Sequence, residues 1–175
     1  MSLAKKLSQA MHSLSVRMIQ RQEDERTRHI VDTLQSVSLF ETVTRGALRE
    51  ISQLVHPRDF LPGEVIYHVR DPGLGLYIVQ RGSVQLLVGT ETEKVVELGR
   101  VEAFEVFGVM SLFSESRRLE TARAIEDTRV LGLFTSDLEA LMHHSPTVAA
   151  RVSFAVARHV SSLHYSMVKN GGRPP

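Results

Sequence analysis

The sequence predicts an α+β fold that is mainly β: an antiparallel double-stranded β-roll, jelly-roll-like, flanked by N- and C-terminal helices. Three observations carry this expectation. Between residues 60 and 134, short β-branched and aromatic runs are punctuated by glycine and proline corners, the rhythm of a sandwich or roll. On both sides of that stretch apolar residues recur every three or four positions, the period of a helix. The 175 residues are 42% hydrophobic and 23% charged, enough to close one core without disulfide staples.

Each element can be justified in turn. Ala4, Leu7, Met11, Leu14 and Met18 form the stripe of a first helix, and Glu23 to Arg28 is a mixed-charge stretch. Ile30, Val31, Leu34 and Val37 then resume an apolar face. A second, short helix is expected from about Thr44 to Val55, with Thr44 as N-cap and Leu48, Ile51, Leu54 and Val55 on one side. His56-Pro57 stops it, because the residue before a proline avoids helical dihedrals. Corners are expected at Pro62-Gly63, Asp71-Pro72-Gly73, Arg81-Gly82, Gly89-Thr90 and Gly99-Arg100. Between them lie strand candidates at Val65–Tyr67, Leu76–Val79, Val84–Val88 and Val95–Leu98, with a last strand over Arg129–Phe134. Ser136 to Glu139 has the spacing of a capping box. Ser145-Pro146 opens a final helix whose stripe is Ala149, Val152, Val156, Val160, Leu163 and Met167.

Composition excludes several function classes. With no cysteine there is no disulfide, thiolate metal site or cysteine nucleophile. That suits a reducing compartment, and the cytoplasm is the expected location. Lys and Arg number 21 against 20 acids, so no global basic field attracts nucleic acid, and no apolar run is long enough to span a bilayer. Residues 1–22 carry Lys5, Lys6, Arg17 and Arg21 and no acid. They read as a solvated basic helix face, with a targeting or membrane-surface segment as the alternative. His68 stands alone among the strands and His143-His144 fall at a helix end, so no metal site is expected. No nucleophile elbow or phosphate loop is present, and the chain is expected not to be an enzyme. The two apolar stripes, Ala4–Met18 and Ala149–Met167, exceed what a roll needs and suggest a homodimer through the N- and C-terminal helices.

Two motifs go further. The first is Pro62-Gly63-Glu64-Val65-Ile66-Tyr67 with Asp71-Pro72-Gly73, Leu76-Tyr77-Ile78-Val79 and Gly82-Ser83-Val84. The second is Phe107-Gly108-Val109-Met110-Ser111-Leu112, followed by Arg118 and Thr121-Ala122-Arg123-Ala124. Together they resemble the cyclic-nucleotide-binding domain family, the first matching its opening hairpins and the second its phosphate-binding cassette. The resemblance covers about residues 34 to 160. It implies a domain of that type over 34–168, a helical extension over 1–33 and a flexible tail over 169–175. It further implies a ligand, cAMP or cGMP or a related small anion, and no other cofactor. The site residues would be Gly108, Val109, Met110, Ser111, Arg118 and Leu119, with Arg118 gripping the cyclic phosphate. Relatives that bind DNA append a helix-turn-helix module, and the ten residues after Tyr165 leave no room for one, so direct DNA binding is not expected.

The cassette also departs from the family pattern. Val109 stands where a glutamate accepts a hydrogen bond from the ribose hydroxyl, Leu119 where a small or hydroxylic residue is usual, and Glu120 where alanine is usual. Arg117 replaces a proline, and Arg70 replaces a glycine ahead of the Asp-Pro-Gly corner. Weak ligand binding is therefore expected, with a ligand-free interaction scaffold of the same fold as the alternative. Arg118 keeps two readings, a phosphate anchor or a surface arginine paired with Glu115 or Glu120. Ser161 and Ser162 lie on the last helix, where relatives offer polar contacts to the base.

Overall fold

The computed structural model describes residues 3–89, 95–114 and 116–169, with side chains described for Met18 and from Gln20 onward. The Ala4–Met18 stripe therefore falls, but for Met18, among side chains outside the described set. Thr90, Glu115 and residues 170–175 lie outside the described residues altogether.

A helix α1 (Leu3–Ser36) runs unbroken through residue 33, where the sequence suggests a boundary. A single 3₁₀ turn at Ser38–Phe40 leads to α2 (Arg45–Ser52), whose Thr44 hydroxyl accepts the Ala47 N–H as an N-cap. Eight strands follow in two sheets. Those of the first sheet are β1 (His56–Phe60), β3 (Gly75–Arg81), β6 (Val106–Phe107) and β8 (Thr128–Phe134). Those of the second are β2 (Val65–Tyr67), β4 (Val84–Val88), β5 (Val96–Val101) and β7 (Thr121–Ala124). The strand orders are β1-β8-β3-β6 and β2-β7-β4-β5, antiparallel throughout. Helices α3 (Thr135–His144) and α4 (Pro146–Lys169) complete the β-roll flanked by helices.

The two-residue period of the strands separates two cores. On β3, Leu76 and Ile78 face the helices while Val79 faces the second sheet; on β8, Leu131 and Leu133 face the helices and Val130 the roll interior. The outer cluster joins these to Leu34, Leu48 and Ile51 of α1 and α2 and to Leu138, Val152 and Val156 of α3 and α4. The inner cluster is Tyr67, Val79, Val84, Val101, Phe107, Ala122 and Val130. Full burial of such a side chain contributes roughly 1.5–3 kcal/mol, so the first sheet, covered on both faces, anchors the fold.

Four local expectations change. The segment after α2 is a strand: β1 pairs along β8 with Pro57 opposite Leu131, and proline is tolerated because β1 is an edge strand. Gly99-Arg100 is not a corner. Leu86 pairs with Gly99 and Leu87 with Glu97, leaving Leu98 as the extra residue of a β-bulge inside β5. The cap of α3 is not the Ser136–Glu139 box: Asp137 accepts the Phe134 N–H at 2.9 Å, two residues earlier. The stripe on α4 is consumed within the chain, since Ala149, Val152 and Val156 are buried and Val160 and Leu163 pack against the same cluster. The large apolar residues that α4 leaves exposed are Phe154, Tyr165, Met167 and Val168.

Candidate functional site

The site begins where the chain leaves the roll interior for the helical layer. Phe107 is buried on β6, opposite Tyr77 of β3. Gly108 then turns at φ 66°, and a 3₁₀ turn over Val109–Leu112 carries Val109 and Leu112 into the outer cluster. Only glycine suits this corner on two counts. Its φ is left-handed, and a Cβ would collide with the Arg118 guanidinium.

Arg118 reaches this corner from the far side of the loop. Its backbone is zipped onto the 68–73 corner: the Arg118 N–H donates to Asp71 at 2.9 Å and the Arg70 N–H donates to Arg118 at 2.8 Å. Arg70 takes φ 70°, so an arginine holds a position that favours glycine. The Arg118 side chain is 4% exposed and lies 4.2 Å over the Tyr67 ring. Its Nη1 donates to the Gly108 carbonyl at 3.0 Å and its Nη2 to the Gly75 carbonyl at 2.8 Å. Its Nε has no partner among the described residues. The surface reading is thereby corrected. Arg118 is buried, it makes no ion pair with Glu120, and Glu115 lies outside the described residues.

Glu120 is held separately. Its carboxylate accepts the Tyr67 hydroxyl at 2.6 Å. Burial, followed by the charge and hydrogen bond of Glu120, pushes the Tyr67 phenol far above its ordinary range and keeps it a donor. Tyr67, Tyr77 and Phe107 stack at 5.3–5.9 Å between ring centroids, a rigid floor under the guanidinium.

A cavity of about 630 Å³ opens beside these residues, with Phe107, Gly108, Arg118 and Glu120 in its wall. All six site residues read from the sequence line it: Gly108, Val109, Met110, Ser111, Arg118 and Leu119. They do not contribute equally. Val109 and Ser111 are buried, whereas Met110 and Leu119 are exposed. The opposite wall is α4, through His159, Leu163 and Met167. Ser161 and Ser162 are exposed and do not line the cavity; the polar side chain that α4 presents to it is His159. Burial lowers the His159 pKa below its ordinary value. His159 and the Tyr67–Glu120 pair escaped the sequence reading. The pair joins residues 53 positions apart, a separation that no local motif reports.

A buried guanidinium with no carboxylate partner among the described residues lies on the wall of a largely apolar cavity of ligand size, the class of arrangement that defines a candidate anion site on a β-roll. The comparisons with known proteins supply the family. The model of the cyclic nucleotide-binding domain matches residues 57–145, and the chain belongs to that family. The Cyclic AMP receptor protein of Thermus thermophilus is 37% identical over 101 residues, 56% of this chain and 45% of that protein. An HTH-type transcriptional regulator of Mycobacterium tuberculosis is 27% identical over 130 residues, 74% of this chain and 53% of that one. The chain thus spans about half the length of these curated relatives. Among solved structures, the N-terminal domain of a transcriptional regulator from Streptomyces coelicolor superposes with a TM-score of 0.67 at 28% identity. That match covers 74% of this chain and 93% of the other. The regulatory domain of Toxoplasma gondii PKA, solved with cAMP, shares the fold at a TM-score of 0.64 and 20% identity, over 77% of this chain and 51% of its own. Among the described residues no helix is long and apolar enough to cross a membrane.

Proposed function

We propose that this chain is a regulatory sensor module whose cavity binds cAMP, cGMP or a related small anion weakly, and that it catalyses no reaction. The observation that carries the reading is Arg118, a buried cation on the cavity wall with no carboxylate paired to it among the described residues. A charge so placed is costly until an anion compensates it. Affinity is modest because Val109 offers no acceptor to a ribose hydroxyl, and a lost hydrogen bond of that kind weakens binding roughly tenfold or more. The signal passes through α4, whose second half walls the cavity. A ligand seated against His159 and Leu163 changes how that half packs and hands the change to a partner or a second copy. The cysteine-free chain suits the cytoplasm as its setting.

A ligand-free scaffold is favoured by one observation: both Nη groups of Arg118 already donate to backbone carbonyls. Calorimetric titration with cAMP and cGMP separates the two. Saturable binding at micromolar to millimolar ligand is expected, and no heat with either nucleotide leaves the scaffold. The exposed Phe154, Tyr165 and Val168 of α4 suit a homodimer. Sedimentation equilibrium is expected to give twice the chain mass, and a monomer at high micromolar concentration would refute it.

A further inference from the structure

Six charged or titratable residues line the cavity: Arg100, Glu105, Arg117, Arg118, Glu120 and His159. Three are occupied at the rim. Arg100 donates to Glu97 at 2.9 Å, the Glu105 carboxylate accepts the Glu102 N–H at 2.8 Å, and the exposed Arg117 donates to the Arg70 carbonyl at 2.8 Å. His159 is uncharged near neutral pH, since burial holds its pKa down. The inner wall thus carries one cation, Arg118, and one carboxylate, Glu120.

These two are not partners. The Tyr67 ring stands between them, with the Arg118 guanidinium on its face and Glu120 on its hydroxyl. Because that hydroxyl stays protonated, it donates to Glu120 and fixes the carboxylate on the wall. A carboxylate free to swing into solvent would be screened; this one is half-buried and tethered. An anion that reaches Arg118 must therefore enter the field of Glu120 as well.

We infer that Glu120 acts as a charge filter, admitting a ligand with one negative charge and turning away one with two. This rests on the cavity being the nucleotide site proposed above. A cyclic phosphodiester carries one charge at neutral pH, and Arg118 balances it. A phosphomonoester carries nearly two above pH 7, and its second charge meets Glu120 on the inner wall, while the remaining cations of the cavity, Arg100 and Arg117, stand exposed at the rim. The filter thus selects on charge, independently of the base.

The test is calorimetry at pH 8 with cyclic AMP, 5′-AMP and adenosine, on wild type, Glu120→Gln and Glu120→Asp. Glutamine keeps an oxygen for the Tyr67 hydroxyl and removes only the charge; aspartate keeps the charge. Wild type should prefer cyclic AMP to 5′-AMP. Glu120→Gln should gain about tenfold for cyclic AMP and about a hundredfold for 5′-AMP, each added charge being worth a similar factor, with adenosine unmoved. Glu120→Asp should keep the wild-type gap. Equal gains for all three ligands, an unchanged gap in Glu120→Gln, or a gap lost in Glu120→Asp would each overturn the filter while leaving the nucleotide site standing. No binding of any ligand by any of the three proteins would bring down both.

Discussion

The two walls of the cavity are built on opposite plans. The loop wall is fixed from behind: Arg118 joins the Gly108 and Gly75 corners, and Val109, Ser111 and Leu112 are buried. The α4 wall is buried deeply only toward one end, with Val160 and Leu163 packed more lightly beyond it. Ala149, Val152, Ala155 and Val156 are buried in its first half, while Tyr165, Met167 and Val168 are exposed beyond it. In the proposed sensor, one wall would read the ligand and the other report it. A rigid reader opposite a lightly held helix is what a sensor needs, because a ligand moves whatever part of its surroundings is cheapest to move.

The sharpest way to break this contrast is Arg118→Ala. It removes donors from two backbone carbonyls and is expected to cost about 3 kcal/mol in urea denaturation, in addition to abolishing anion binding. A loss of binding with no loss of stability would show that Arg118 does not hold the loop wall. Next in size is Val156→Ala in the anchored half of α4, where a fully buried side chain loses two methyl groups. The expected cost is about 2 kcal/mol. A value near zero would mean that the helix is loose along its whole length.

The smallest effect is a pH dependence from the reporting wall. His159 has its pKa lowered by burial relative to the ordinary 6.5. As pH falls below that value the unfolded chain takes up the proton first. Stability is therefore full above about pH 6.5 and is lost as pH drops through the folded value. Denaturation midpoints of wild type and His159→Gln should diverge between pH 7.5 and 5.5, with the variant flatter. Parallel curves would place His159 in solvent and off the cavity.

The sequence exposed some of this and hid the rest for physical reasons. Corners at Gly63, Gly73 and Gly82 were legible because tight turns restrict residue choice, and the strands between them followed. The six cavity residues were legible through one motif. Strand β1 was hidden because His-Pro-Arg-Asp-Phe has neither apolar alternation nor β-branched residues, and its pairing with β8 spans most of the domain. Strand β6 has two residues, too few for any period. The burial of Arg118 was illegible because its partners are backbone carbonyls and an aromatic face, which leave no trace in residue type. Glu120 was noticed as an acid out of place, but its tether to Tyr67 exists only in three dimensions.

Pro57 on the edge strand β1 has a consequence for how the molecule meets its own copies. An edge strand normally offers a ladder of free donors and acceptors on which another chain can extend the sheet, the first step toward fibres. A proline in that row has no N–H to offer and holds its own φ, so the ladder is interrupted at the second residue of this edge strand. Sheet-to-sheet accretion is discouraged on that side. Contacts between copies are left to surfaces that can separate again.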